Sequence, residues 1–105
     1  MLAVARSRIV RYTSEEVRED AGLLLVDIRS ADERERTGVI PESRHVPYSV
    51  LPWRADQTSE WRDEELSGRR LCLVCAHGYS SSLAAAQLVE LGIDAGDLIG
   101  GYEAW

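Results

Sequence analysis

Two cysteines carry most of the chemistry this sequence can offer, and they stand close together in Cys72-Leu-Val-Cys75. That spacing serves redox pairs and structural zinc sites, so each use is weighed against its context. A structural zinc site needs four ligands, and beyond this pair the only histidines are His45 and His77. No metal site is expected. A disulfide needs Cα atoms within ~7 Å of each other. The segment Arg70-Leu-Cys-Leu-Val-Cys75 reads as an apolar strand, on which three residues span ~10 Å and point to opposite faces. Cys72 is therefore expected as a buried core thiol, and Cys75 must be explained by the loop on its C-terminal side.

That loop is Ala76-His-Gly-Tyr-Ser80, and it leads into a helix-forming run over Ser81–Leu91. Strand, short glycine-containing loop and helix opening on serines is how an α/β fold builds an anion site. Ligands bind at the carboxyl ends of parallel strands. Successive loop N–H groups form a concave nest, and the helix N-terminus adds partial positive charge. Cys75 would stand at the mouth of that nest, where a thiol pKa of ~8.5 can fall to ~3.5–7.5. The resulting thiolate is a nucleophile. The same cradle would hold a persulfide anion or an oxyanion such as thiosulfate. Gly78 lets the backbone approach closely and take a positive φ. A cysteine that ends a buried strand can equally be a small apolar core residue, and the loop pattern by itself leaves both readings open.

The elements that must position this loop alternate in type. After a short lead-in, Thr13-Ser-Glu-Glu16 is a capping box opening a helix to about Asp20. Leu23–Ile28 is a continuous apolar run, the pattern of a strand buried on both faces of a parallel sheet. Ser30-Ala-Asp-Glu33 repeats the capping signature, with Gly38 placed to stop that helix. Val39–Ser43 reads as a turn and Arg44–Val46 as a brief strand ended by Pro47. Ser49 is expected to cap a helix holding Val50, Leu51 and Trp53, and Ala55–Glu65 to be a surface loop before a short helix. Leu83, Ala84, Gln87, Leu88 and Leu91 form one stripe at helical spacing, with Gly92 as cap. Asp97–Ile99 is a last strand, Gly100-Gly101 a bend, and Tyr102–Trp105 the start of a helix. Alternation of this kind predicts an α/β domain with a mainly parallel sheet.

Bulk properties bound the function. A chain of 105 residues suits one domain over 1–105. The formal net charge of −6 argues against a nucleic-acid surface, which needs clustered positive charge. All twelve basic residues are arginine, a pattern more in keeping with base composition than with twelve functional guanidiniums. Arg6 and Arg8 interrupt what would have to be an apolar leader, and no apolar run reaches the ~18 residues of a membrane span. The expectation is a cytoplasmic protein without a membrane partner, and a monomer.

Four stretches resemble the rhodanese homology family, covering about Ile9 to Trp105. Val26-Asp-Ile-Arg29 followed by Glu33 is similar to its first signature. Gly38-Val-Ile-Pro41 with His45-Val-Pro47 resembles its Gly-His-Ile-Pro-Gly-Ala…Ile-Pro segment. Cys75-Ala-His-Gly-Tyr-Ser-Ser81 resembles the active loop Cys-x-x-Gly-x-(Arg/Ser)-Ser, and Gly100-Gly-Tyr-Glu-Ala-Trp105 the closing Gly-Gly-x-x-x-Trp. The resemblance implies a central five-stranded parallel sheet flanked by helices, in three layers. It implies a thiosulfate sulfurtransferase without a cofactor, in which Cys75 takes a sulfane sulfur and passes it to cyanide or another thiophile, a protein among the possible acceptors. Ala76, His77, Gly78, Tyr79 and Ser80 would line the substrate site through their N–H groups, Ser80 adding its hydroxyl. Ser81 would cap the helix, and His77 is read as more bystander than tuner. Asp27 and Arg29 are implied as scaffold, Arg29 pairing with an acid such as Glu33 and Asp27 facing the loop. His45, Trp53, Trp61 and Trp105 are expected to be structural.

Departures from the family pattern matter as much. Val39 replaces the usual His, Glu42 and Ser43 replace Gly-Ala, and Ser80 replaces the loop Arg, which weakens the case for tight binding of a dianionic donor. Relative to many members, a C-terminal segment is expected to be short. Two rival functions remain. A cysteine phosphatase of related fold needs Arg six residues past its cysteine, where this chain has Ser81. A non-catalytic rhodanese-like module would bind partners or relay sulfur passively.

Overall fold

A computed structural model describes residues 1–105. Its strands are β1 (Val10–Tyr12), β2 (Leu23–Asp27), β3 (Arg44–His45), β4 (Arg70–Val74) and β5 (Ala95–Leu98). Its α-helices are α1 (Leu2–Ser7), α2 (Ser14–Glu19), α3 (Ala31–Thr37), α4 (Leu51–Ala55) and α5 (Ser80–Glu90), with single 3-10 turns at Tyr48–Val50, Glu64–Leu66 and Tyr102–Ala104. The five strands form one sheet in the order β1-β5-β4-β2-β3, and every neighbouring pair is parallel. β4 is the central strand, with β5 and β2 on either side of it.

Strand periodicity divides the core into two layers. Leu71, Leu73 and Cys75 face one side, where Ala84, Ala85 and Leu88 of α5 join Leu51 and Ala55 of α4. Cys72 and Val74 face the other, against Val17 of α2, Leu23, Ile40 and Leu98. The helices thus cover both faces, giving the three-layer α/β architecture that the sequence implies.

Both capping boxes form. Thr13 and Ser30 each accept the N–H of the residue three positions on, while Glu16 and Glu33 reach back to the cap backbone. α3 buries none of its residues, so it is held by its caps and by polar links, from Arg34 to Asp27 at the end of β2 and from Arg29, just beyond that strand, to Thr37.

Several expectations are corrected. The lead-in is structured: α1 lies against α5, and β1 extends the sheet beside β5. Ser49 caps nothing; it sits inside the 3-10 turn, and α4 starts from Val50 without a side-chain cap, its Pro52 needing no N–H partner there. Trp53 and Trp61 do not pack, being 61% and 69% exposed. Of the stripe expected on α5, Ala84 and Leu88 are buried but Gln87 and Leu91 are exposed; Ser81, Ser82 and Ala85 complete the buried face.

Candidate active site

Cys75 follows the last residue of β4, at the carboxyl edge of the sheet. The chain then turns through 76–79 and enters α5 at Ser80. This geometry wraps the loop round the sulfur. Gly78 donates its N–H to Sγ at 3.1 Å, Ser81 donates its N–H at 3.4 Å, and Ser81 Oγ lies 3.2 Å away. Burial pushes the Cys75 thiol pKa up, but the hydroxyls of Ser81 and Ser80 and the two N–H groups outweigh it, and the net direction is down. Hydrogen bonds to sulfur favour the thiolate, since an anion gains more from a donor than a neutral thiol does.

Ser81 therefore does more than the sequence suggests. The helix begins one residue earlier than expected, with Tyr79 in the cap position and no side-chain cap. Ser81 then lies in the first turn, where N–H groups lack intrahelical acceptors, and it spends its own on sulfur. Of the five residues expected to line the site, Gly78 contacts Sγ by its N–H, and the Ser80 hydroxyl helps to lower the thiol pKa. The N–H groups of Ala76, His77 and Tyr79 make no hydrogen bond within the protein.

Two glycines shape the loop. Gly78 has φ +86°, and a Cβ there would stand 2.8 Å from the Gly100 nitrogen. Gly101 has φ +64°, and a Cβ there would collide with the Cys75 carbonyl oxygen. The tail can then lie along the loop: Tyr102 donates its N–H to the Cys75 carbonyl at 2.8 Å, and Glu103 to that of Ala76 at 3.1 Å. The closing Gly-Gly segment is the strap that fixes where the loop after Cys75 begins.

A polar cluster behind the loop has no counterpart among the sequence expectations. Asp97, fully buried in β5, receives Arg11 Nε at 2.8 Å and the hydroxyls of Ser81 and Ser82 at 2.8 and 2.7 Å. Arg6 and Arg11 both donate to the Gly78 carbonyl, at 2.9 and 3.3 Å. The signal available was a carboxylate in the middle of a short interior strand, which has to find a partner.

On the other side of Cys75, Asp27 and Arg29 form a buried bidentate pair at 3.0 and 2.8 Å. Arg29 also donates to Thr37 Oγ1 and the Gly38 carbonyl, and its guanidinium stacks 4.0 Å above the Tyr102 ring. Burial opposes ionisation of Asp27, yet the bonds from Arg29 bring its pKa down. The expected Arg29–Glu33 pair is thus corrected to Arg29–Asp27, because Glu33 is committed to the capping box. Asp27 turns to Arg29 and Arg34 and makes no bond to the loop. His45 bonds the Arg29 carbonyl at 2.8 Å, a structural role, while exposed His77 pairs with exposed Glu103.

A cleft of about 450 Å³ opens over the sulfur, lined by residues including Arg29, Ser30, Glu33, Tyr48, Cys75, His77 and Tyr79. It has the Cys75 sulfur at its floor and loop residues 76, 77, 79 and 80 at its wall. Arg29, the one guanidinium in its lining, is already spent on Asp27. Cys72 is fully buried on the opposite face of the sheet, where burial drives its thiol pKa strongly upward.

The sequence matches the family model of the rhodanese-like domain over residues 12–105. It is 35% identical over 99 residues to the thiosulfate sulfurtransferase GlpE of Pseudomonas syringae pv. syringae, covering 93% of this chain and 85% of that protein. It is 32% identical over 82 residues, 78% of this chain, to the adenylyltransferase and sulfurtransferase UBA4 of Yarrowia lipolytica, where the match spans only 19% of the relative. Among solved structures, a Rhodopseudomonas palustris protein of unknown function, described as a possible tyrosine phosphatase, superposes with a TM-score of 0.92 at 28% identity, over 99% of this chain and 84% of that one.

Proposed function

This chain belongs to the rhodanese-like domain family, and from that premise we propose that it is a sulfurtransferase working through a persulfide on Cys75. The ionised sulfur attacks the outer sulfur of a donor such as thiosulfate; the S–S bond of the donor breaks and sulfite leaves with the electron pair. An acceptor thiophile, cyanide or the thiol of a small molecule or protein, then takes the outer sulfur and returns Cys75 as thiolate. The observation that carries this reading is the surround of Sγ, two N–H donors with the Ser81 hydroxyl oxygen at 3.2 Å, on a thiol whose pKa is lowered despite burial. The free N–H groups of Ala76, His77 and Tyr79 suit the outer sulfur of the persulfide. The reading takes 1–105 as one domain, a monomer acting in the cytoplasm without a cofactor; no helix is long and apolar enough to cross a membrane.

A dianionic donor meets no uncommitted guanidinium in the cleft. Thiosulfate is therefore expected to bind weakly, with a KM at or above the ~1 mM upper end of the usual range. The phosphatase reading, suggested by the Rhodopseudomonas neighbour, needs a guanidinium on the transferring phosphoryl oxygens. Arg6 and Arg11 stand behind the loop and are held on the Gly78 carbonyl, so the chain offers none to the cleft. Phosphatase activity lost on Cys75→Ser would revive it. A module that only binds partners has no use for a lowered thiol pKa.

The deciding experiment is incubation with thiosulfate followed by intact-mass measurement. One sulfur atom should be gained by the wild type and by Cys72→Ser, and none by Cys75→Ser. Equal labelling of the two variants would overturn the assignment.

A further inference from the structure

Asp97 takes no part in the two steps of sulfur transfer, yet it lies one hydroxyl away from the reacting sulfur. We propose that Asp97, clamped by Arg11, is a positioning residue that competes with Cys75 for the single hydroxyl hydrogen of Ser81. The hydrogen is kept on the carboxylate while Sγ is neutral and released to Sγ when negative charge appears there. The part this plays in sulfur transfer rests on the reading of Cys75 as the persulfide carrier; the competition itself does not.

The geometry sets up a choice between two acceptors. Ser81 Oγ is 2.8 Å from Asp97 Oδ2 and 3.2 Å from Cys75 Sγ. A hydroxyl has one hydrogen, so it donates to one of them at a time. With Cys75 protonated, the thiol donates to Ser81 Oγ, which donates onward to Asp97. With Sγ ionised there is no hydrogen on sulfur, and the hydroxyl is best turned toward it. Asp97 tolerates the loss because it keeps two Arg11 nitrogens, at 2.8 and 3.2 Å, and the Ser82 hydroxyl, which lies nearer to it at 2.7 Å than to its other acceptor, the Gly78 carbonyl, at 3.2 Å. A fully buried carboxylate with spare donors is a place to park a hydrogen bond and withdraw it cheaply.

Other charged groups do not substitute for it. Around Asp97, β1 contributes Arg11, β4 contributes the neutral Cys72 thiol, and α5 contributes only the two serines. Arg6 of α1 reaches Ser82 Oγ at 3.1 Å, one bond removed. Around Cys75, the cleft brings Arg29 and Glu33 from the β2–α3 segment, Tyr48 from the turn after β3, and His77 and Tyr79 from its own loop. Arg29 is spent on Asp27.

During transfer to a thiophile, the acceptor's lone pair attacks the outer sulfur and the S–S bond breaks with its electron pair passing to Sγ. In the persulfide, Sγ is an uncharged divalent sulfur, and the Ser81 hydrogen stays on Asp97. As charge grows on Sγ the hydroxyl turns to meet it, and no proton changes owner. A bond made only as charge develops lowers the barrier more than one present throughout.

The test is a pH titration of the Cys75 thiolate by its ultraviolet absorbance, in the full chain. Asp97→Asn weakens the competing acceptor, so the Cys75 pKa should fall. Removing a negative charge would lower it through space as well, and Ser81→Ala separates the two causes. In the Ser81→Ala background the Asp97→Asn shift should shrink to less than half. An unchanged or raised pKa in Asp97→Asn, or an undiminished shift in the double variant, would overturn the proposal. Ser82→Ala is nearly isosteric and does not depend on Asp97→Asn folding. It strips one donor from Asp97, strengthens the pull on Ser81, and should raise the Cys75 pKa; no change or a fall would refute it. None of these titrations needs a sulfur donor. Failure of thiosulfate to label Cys75 would count against the transfer reading, while the titration cycle would still decide this one.

Discussion

The middle of β4 and the position just past its carboxyl end hold the same residue type and treat it in opposite ways. Cys72, in the strand's interior, is enclosed by Val17, Leu23, Ile40, Val74 and Leu98, none of which offers its side chain as a donor. Cys75, just past the strand's end, is also buried, at 6% exposure, but the loop folds N–H groups and hydroxyls onto its sulfur. Burial raises both thiols; only the second has donors to reverse it. The lowering of a thiol pKa here is a property of the strand's carboxyl end and of the loop strapped over it, not of cysteine burial as such.

Alkylation gives the largest expected difference between the two. Cys75 faces a cleft, whereas Cys72 reacts only when the domain opens, so its rate is scaled down by the unfolding constant. With a stability of ~5 kcal/mol or more, that factor is at least roughly 10³. Iodoacetamide labelling followed by peptide mass mapping at neutral pH measures it, and comparable rates at the two sites would break the comparison.

The next effect separates local donors from the charges around them. Arg29 lines the cleft yet is bound to Asp27, a fully buried carboxylate. Arg29→Met strands much of that charge, at a cost of ~3 kcal/mol, toward the low end for broken buried pairs because Arg34 remains beside Asp27. The folded-state pKa of Asp27 is depressed, so its contribution is present above the unfolded value of ~3.9 and lost as pH falls through the folded value. Arg29→Met should therefore lose stability at neutral pH and show a shallower acid limb in a denaturant titration. The Cys75 titration should stay where it is; a large move would mean that distant charge, rather than the loop, sets it.

How much of this contrast is legible in the sequence depends on how local each cause is. The capping boxes at Thr13 and Ser30 and the opposite facing of Cys72 and Cys75 follow from neighbours a few residues away, and all three are present. The five-stranded parallel sheet follows from the alternation of strands and helices together with the family resemblance. Helix α1 and strand β1 are illegible because six and three residues carry no periodicity of their own. They are held by α5 and β5, far along the chain. The Arg11–Asp97 pair bridges 86 residues, and no spacing rule reaches across that distance. The pairing of Arg29 with Glu33 that the family resemblance suggests fails because Glu33 is already committed to its cap, and Arg29 turns back to Asp27 instead. A shift of the cap from Ser81 to Tyr79 is enough to change Ser81 from helix cap to a residue that donates its N–H to the Cys75 sulfur.

Alkaline stability sharpens the comparison further, because the two thiols bend it in opposite directions. Cys75 has a depressed folded pKa, so it adds stability as pH rises from that value toward the unfolded ~8.5, and the gain is lost as pH falls back through it. Cys72 has a raised folded pKa, so its contribution is intact below ~8.5 and drains away above it as the unfolded thiol ionises. Thermal unfolding of Cys72→Ala from pH 7 to 10 should show a weaker alkaline decline than the wild type, after a fixed loss of ~1 kcal/mol for the small cavity. Cys75→Ala should show a steeper one. Parallel curves for the two variants would mean that the thiols titrate alike.

The smallest expected effect concerns the outer rim of the same loop. His77 and Glu103 pair across its mouth, but both side chains are more than half exposed, at 62% and 71%. Exposed pairs of this kind lose most of their attraction to water and salt. What ties the tail to the loop is instead backbone: the Tyr102 and Glu103 N–H groups on the Cys75 and Ala76 carbonyls, made possible by glycine at 101. Glu103→Gln removes the charge and keeps every one of those bonds. It should leave the melting temperature and the Cys75 titration within measurement error, at low and high salt alike. Gly101→Ala should do the reverse, since its Cβ collides with the Cys75 carbonyl and must displace either the tail or the loop. A salt-dependent shift of the Cys75 pKa in Glu103→Gln would show that the rim charge reaches the sulfur, and the control of this thiol would then extend beyond its own hydrogen-bond donors.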